Sequence, residues 1–153
     1  MRVCLGGTFN ILHKGHKSLI DTAFQIAGPT GYIFIGIADG ALLEKKRFIK
    51  PLKERITTVV NYLTSKKFTQ KFEILPIYDI YGLAVDGDFD AIIVSPETYK
   101  NAEVINSKRI SIGKKPLKII EIPFVLADDN KPISTTRIQN QIIDENGEIL
   151  HKK

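Results

Sequence analysis

Residues Gly6 to His16, Gly-Gly-Thr-Phe-Asn-Ile-Leu-His-Lys-Gly-His, constrain the fold more than any other stretch of the chain. They follow a short apolar run, Arg2–Leu5. They lead into a segment, His16 to Ala27, whose apolar residues Leu19, Ile20, Ala23, Phe24 and Ala27 fall at helical spacing before Gly28-Pro29 stops it. The chain must therefore pass from strand to helix through a turn with two adjacent glycines. Such a turn lets backbone N–H groups approach a ligand with no Cβ in the way, and Gly7 and Gly15 keep that approach open. The helix start behind it presents unpaired N–H groups and the positive end of the helix dipole. His13 and His16, two of the chain's three histidines, add ring N–H donors suited to phosphate oxygens. The pattern is neither the G-x-G-x-x-G of a dinucleotide fold nor a P-loop, whose glycine spacing is missing. It is not a zinc site, because two histidines leave the shell short and Cys4 and His151 are poor candidates to complete it.

The rest of the chain alternates in the same way. Tyr32–Ala38, Phe72–Ile77, Asp90–Val94 and Lys118–Ile122 read as strands. Helices are expected over Leu52–Leu63, with Pro51 near its start, and over Asn101–Ile112, closed by Gly113. A last helix, capped by Ser134, is expected to run through Ile138 and Ile142. Strands alternating with helices predict an α/β fold: a single Rossmann-like domain over residues 1–145, with a mostly parallel five-stranded sheet flanked by helices. Ligands of such sheets bind beyond the carboxyl ends of the strands, where strand order switches. Residues 146–153 are expected to form a polar, frayed tail.

Composition narrows the class. The 153 residues suit one domain, and 43% hydrophobic with 25% charged is the balance of a globular protein. No apolar stretch approaches the roughly 20 residues of a membrane helix, and the N-terminus lacks a signal-peptide run. A single cysteine, Cys4, excludes an internal disulfide and is expected in the core of a cytoplasmic protein. The net charge of +5 permits nucleic acid, nucleotides or acidic metabolites and selects none. Cations crowd into Lys45–Lys53, a run that taken alone is a solvated face. Near the other end, Ser134, Thr135, Thr136 and Arg137 offer capping hydroxyls and a second anion site, opposite the first turn in the same sheet.

Together these stretches resemble the nucleotidyltransferase superfamily, which carries an H-x-G-H turn after strand one and an I-S-S-T-x-x-R-like helix start near the end. Gly6–Phe9, the basic run leading to Glu54-Arg55, Asp79-Ile80-Tyr81-Gly82, Val94-Ser95-Pro96-Glu97-Thr98, Ile105-Asn106 with Arg109, and Lys115-Pro116-Leu117 bring the chain closest to the archaeal-type phosphopantetheine adenylyltransferases. The resemblance implies adenylyl transfer from ATP to 4′-phosphopantetheine, giving dephospho-CoA and pyrophosphate, with magnesium and without a covalent intermediate. It implies that His16 stabilises charge at the reacting phosphates and that His13 holds the triphosphate. Thr8, Phe9 and Asn10 would position the acceptor or the α-phosphate, and Lys45 or Lys46 would bridge the two reacting phosphates. Ser95 to Thr98 would lie by the nucleoside, and Ser134, Thr135, Thr136 and Arg137 would sit at the β- and γ-phosphates.

The chain departs from the family pattern twice. Asn10 stands where Asp is common, and Gln139 stands where the last basic residue falls. Arg137 lies roughly 200° around the helix from Gln139, so Lys108 or Arg109 are carried as weak substitutes. Two alternatives stay open: adenylyl or cytidylyl transfer to nicotinamide mononucleotide, FMN or glycerol phosphate, and a non-catalytic nucleotide- or RNA-binding module. The expectation is no nucleic-acid or membrane partner, and the oligomeric state is not legible from the sequence.

Overall fold

A computed structural model of the protein describes residues 1–150. His151, set aside above as a zinc ligand, lies outside them, as does the end of the expected tail. The elements are β1 (Arg2–Gly7), α1 (Lys14–Ala27), β2 (Tyr32–Ala38), a single 3-10 turn at Gly40–Leu43, α2 (Leu52–Lys66), β3 (Lys71–Ile77), β4 (Ala91–Val94), α3 (Tyr99–Ser111), β5 (Lys118–Glu121) and α4 (Thr135–Gln139). The five strands form one sheet in the order β3-β2-β1-β4-β5, and all four pairings are parallel. The order reverses between β1 and β4, so a crevice opens beyond their carboxyl ends.

Strand alternation sorts the core into two faces. Val3, Leu5, Ile33, Ile35, Ile37, Ala91 and Ile93 pack against Leu19, Ile20, Ala23 and Phe24 of α1 and Val59 and Leu63 of α2. On the other face Cys4, Phe34, Ile92 and Val94 meet Ala102 and Ile105 of α3. Cys4 is buried there, and burial pushes its thiol up to about 12 against the pull of Arg109, so it is a small core residue and no nucleophile.

A third, smaller cluster of Ala127, Ile133 and Ile143, backed by Val125 and Ile138, carries the C-terminal segment. Here the structure corrects two expectations. The last helix does not reach Ile142. It stops at Gln139, and Gln141 takes a left-handed backbone (φ 58°), so Ile143 rather than Ile142 turns inward. Nor do residues 146–150 fray. Ile149 bridges Ile143, Asp128 N–H donates to Gly147 O at 2.9 Å, and Leu150 N–H donates to Ile142 O at 3.0 Å. A buried glycine supplies that turn: at φ 83°, a Cβ on Gly147 would press on Ala127 and Ile133.

Candidate active site

The first wall of the crevice is the β1–α1 turn. His13 is the N-cap of α1: its Nδ1 accepts from the N–H groups of Gly15 (3.0 Å) and His16 (3.3 Å). Since Nδ1 accepts, the neutral ring carries its proton on Nε2. The His16 ring stacks on His13 with centroids 3.8 Å apart, and its Nδ1 lies 2.9 Å from Ile11 O. A carbonyl oxygen can only accept, so Nδ1 carries the proton and the neutral His16 ring has a lone pair on Nε2. His13 N–H, 2.9 Å from Ile11 O and 3.4 Å from His16 Nδ1, bonds the carbonyl.

Burial lowers both pKa values. His13 falls to about 4. His16 falls to about 3, where proximity to His13 and Lys46 adds to the effect and the Ile11 carbonyl opposes it. Both rings are therefore neutral near pH 7 in the ligand-free protein. Gly15 is required for a reason beyond ligand approach: a Cβ there would stand 2.9 Å from the His13 ring. At Gly7 a Cβ would meet the ring of Phe9 at 3.1 Å. Phe9 itself is fully buried in a left-handed backbone (φ 51°), a conformation that costs a non-glycine residue on the order of 1–2 kcal/mol.

The second wall is the loop between the 3-10 turn and α2. Lys46 Nζ donates to Thr8 Oγ1 at 2.5 Å, whereas Lys45 makes no such bond. This separates the two lysines that sequence alone left equivalent. Desolvation lowers the Lys46 pKa, Glu97 opposes the shift and Arg55 adds to it. Asn10 is buried, and both halves of its amide are used within the protein: Nδ2 donates to Phe48 O at 3.0 Å, and Oδ1 accepts from Lys50 N–H at 2.7 Å. Sequence reasoning placed Asn10 beside the acceptor; in the structure its amide is spent on the loop.

The third wall joins β4 and α4. Ser95 N–H donates to Thr98 Oγ1 at 3.1 Å, closing a turn at the end of β4. Ser134 caps α4, accepting from Arg137 N–H at 3.2 Å. Gly7, Thr8, Phe9, Asn10, His13, Gly15, His16, Lys45, Lys46, Ser95, Thr98, Ser134, Thr135 and Thr136 all line one cavity of about 960 Å³, together with Gln139.

Arg137 does not line that cavity. Its guanidinium is ion-paired with Asp129 and donates to Pro132 O at 3.0 Å, so in the ligand-free protein it braces α4 from behind. Arg109 fares likewise as a substitute for the missing cation. It is buried and donates to the carbonyls of Ala84, Val85, Gly87 and Lys115. Asn106 pairs its amide with the backbone of Leu117 at 2.7 and 2.9 Å. The Ile-Asn…Arg and Lys-Pro-Leu stretches are thus a scaffold that ties α3 to its neighbours.

Sequence reasoning missed Arg55 as a positioning residue. Almost completely buried, it donates to Ala38 O (2.6 Å), Thr8 O (3.1 Å) and Lys50 O (2.9 Å), and stands 3.6 Å from Asp39. It fastens the ends of β1 and β2 to the basic loop. The one available signal was its place directly after the basic run. An apolar side of the cavity, Leu42, Ile77 and Ile80, also went unremarked, because its residues come from the 3-10 turn, the end of β3 and the segment after it.

The cytidylyltransferase-like family model matches residues 4–141. The phosphopantetheine adenylyltransferase of Methanosarcina mazei is 41% identical over 149 residues, covering 97% of this chain and 96% of that protein. The phosphopantetheine adenylyltransferase of Archaeoglobus fulgidus is 40% identical over 151 residues, covering 98% of this chain and all of that protein. A solved structure of an A. fulgidus protein of unknown function superposes with a TM-score of 0.72 at 39% identity, covering 80% of this chain and 89% of that one.

Proposed function

The chain belongs to the cytidylyltransferase-like family and, within it, to the archaeal-type phosphopantetheine adenylyltransferases. From that membership we infer that it transfers the adenylyl group of ATP to the phosphate of 4′-phosphopantetheine, releasing pyrophosphate and forming dephospho-CoA in coenzyme A biosynthesis. The observation that carries the mechanism is the convergence of the β1–α1 turn, Lys46 and the Ser134–Thr136 hydroxyls on one cavity at the switch point of the sheet.

Adenylyl transfer of this kind needs no protein nucleophile: an acceptor phosphate oxygen attacks the α-phosphorus, the bond to the β-phosphate oxygen breaks, and pyrophosphate leaves. The protein supplies position and charge. His13, with its proton on Nε2, donates to the triphosphate. His16 Nε2 is a lone pair while the ring is neutral, so it meets phosphate oxygens as an imidazolium, taking up a proton as the nucleotide arrives. Phosphate charge raises the low pKa that burial imposes. Lys46 donates to Thr8, and we assign it the bridge between the attacking and α-phosphates. Ser134, Thr135 and Thr136 bind the β- and γ-phosphates, and the Ser95–Thr98 turn carries the nucleoside. The apolar Leu42, Ile77 and Ile80 suit the pantetheine arm of the acceptor.

Magnesium belongs to the same proposal. Among the described residues no three His, Cys, Asp or Glu stand together as a metal cage. Glu97 is the carboxylate on the cavity wall, and it would hold magnesium beside the triphosphate, since one carboxylate with substrate phosphates suits this ion. When bound, it neutralises charge on the departing pyrophosphate. No helix among the described residues is long and apolar enough to cross a membrane, and we place the reaction in the cytoplasm, with no nucleic-acid partner.

The test is pyrophosphate release from ATP or CTP with phosphopantetheine, nicotinamide mononucleotide, FMN and glycerol phosphate offered separately. Turnover is expected with ATP and phosphopantetheine. Faster turnover with any other pair would replace this assignment.

A further inference from the structure

Among the described residues, every lysine or arginine lining the cavity comes from one short stretch, Lys45, Lys46 and Arg47. Three adjacent like charges repel, and the next residue, Phe48, is 81% exposed and holds a left-handed backbone (φ 57°). What holds the far end of the loop is polar. Asn10 Nδ2 donates to Phe48 O at 3.0 Å, Gln139 Nε2 reaches the same oxygen at 3.4 Å, and Asn10 Oδ1 accepts from Lys50 N–H at 2.7 Å. Asn10 belongs to the β1–α1 turn and Gln139 to α4, so the Phe48 carbonyl is a point where all three phosphate-facing segments meet. The chemistry demands an amide at position 10. One atom must donate to a carbonyl while the other accepts from an N–H, and a carboxylate cannot donate.

We propose that Asn10 and Gln139 are positioning residues that clasp the Phe48 carbonyl and so hold the basic loop over the phosphates. This rests on the adenylyl-transfer reading of the cavity. The clasp orders the lysines and arginine that line the cavity among the described residues before substrate arrives, and it couples the position of α4 to that of the loop.

The experiment compares wild-type protein with Asn10→Asp, which keeps the acceptor for Lys50 and removes the donor to Phe48. Without substrate, amide exchange across residues 45–50 is expected to rise by about tenfold or more, with α1 and the central strands unchanged. Gln139→Leu, at the surface, is expected to give a smaller rise in the same segment, and it supplies the test if Asn10→Asp does not fold. In turnover, Asn10→Asp is expected to lower kcat/KM by roughly tenfold or more, but by less than about threefold in a Lys46→Ala background, because both changes act through the same lysine. Unchanged exchange across 45–50 in both variants would overturn the proposal. So would equal losses from Asn10→Asp in the two backgrounds, since Asn10 would then act on substrate directly. Failure of the enzymatic reading would show instead as no wild-type turnover, and the exchange measurement does not depend on it.

Discussion

The two halves of the cavity to which we assign the phosphates are built in opposite ways. The β1–α1 turn grows out of the main core: β1 lies central in the sheet, Phe9 is fully buried beneath it, and His13 caps a 14-residue helix. Its donors are fixed by bonds spanning two to five residues. The α4 half sits on a satellite cluster of three buried residues, and its helix has five residues. Its position depends on the Arg137–Asp129 pair and on Gln139 reaching Phe48. The first half is thus rigid by local design. The second is placed by long-range contacts and is the easier one to loosen. In the proposed reaction, chemistry at the α-phosphate would fall to the rigid half, and grip on the leaving tail to the adjustable one.

The largest expected effect lies in the rigid half. His16→Ala should lower kcat by about 10²–10³-fold, because the imidazolium that meets the reacting phosphates is lost, with a smaller change in KM for ATP. Near wild-type kcat would take His16 out of the transition state.

Acid should attack the same half. His13 has a folded pKa of about 4 against an ordinary value of 6.5. The unfolded chain therefore binds the extra proton first as pH falls, and stability declines from about pH 6.5 towards pH 4. At 1.36 kcal/mol per unit the His13 contribution is at most about 3 kcal/mol. Denaturant melts across that window should show the decline, and His13→Asn should remove the His13 share of it, leaving the share of His16, which burial lowers to about 3. Protonation of His13 also removes the acceptor for Gly15 and His16 N–H, so exchange there should rise before that in α4. Simultaneous rise in both halves would erase the contrast.

The lysines give the next step. Lys46→Ala should lower turnover by roughly 10²-fold while Lys45→Ala stays within about threefold. Two similar, mild, salt-sensitive losses would make the loop a solvated face.

Effects in the adjustable half should be smaller and appear in KM. Arg137→Ala should raise KM for ATP by up to about tenfold and leave kcat nearly unchanged, because it loosens α4 without touching the nucleotide. Asp129→Ala should do the same, and the double variant should be no worse than either alone. A KM that responds to Arg137→Ala but not to Asp129→Ala would return Arg137 to the phosphates.

Smallest of all, Gln139→Arg should lower KM for ATP by under tenfold, at most about 1.4 kcal/mol. The gain should fade with salt, since the added charge is partly solvent-facing. Turnover should hardly move, because the tail is gripped alike in ground and transition states. No change in KM at low salt would mean that position 139 does not face the nucleotide.

What the sequence determined by itself is what neighbours along the chain decide. The alternation of strands and helices, the strand–glycine–histidine turn, the Ser134 cap and the burial of Cys4 all follow from spacing and residue type, and the structure bears them out. The reading failed where partners are remote. Helical spacing pointed to Ile142, but a left-handed Gln141 delivers Ile143 to the core. The reading set Arg137 at the phosphates and gave no sign of the partners, Asp129 and Pro132, that it takes in the ligand-free protein. The two departures from the family pattern, Asn10 and Gln139, gave no hint that they converge on one carbonyl, 38 and 91 residues away along the chain. Lys46 rather than Lys45 reaches Thr8 across 38 residues for the same reason. A flexible polar side chain has many partners within reach, and only the packed sheet decides which donor or acceptor stands at hydrogen-bonding distance.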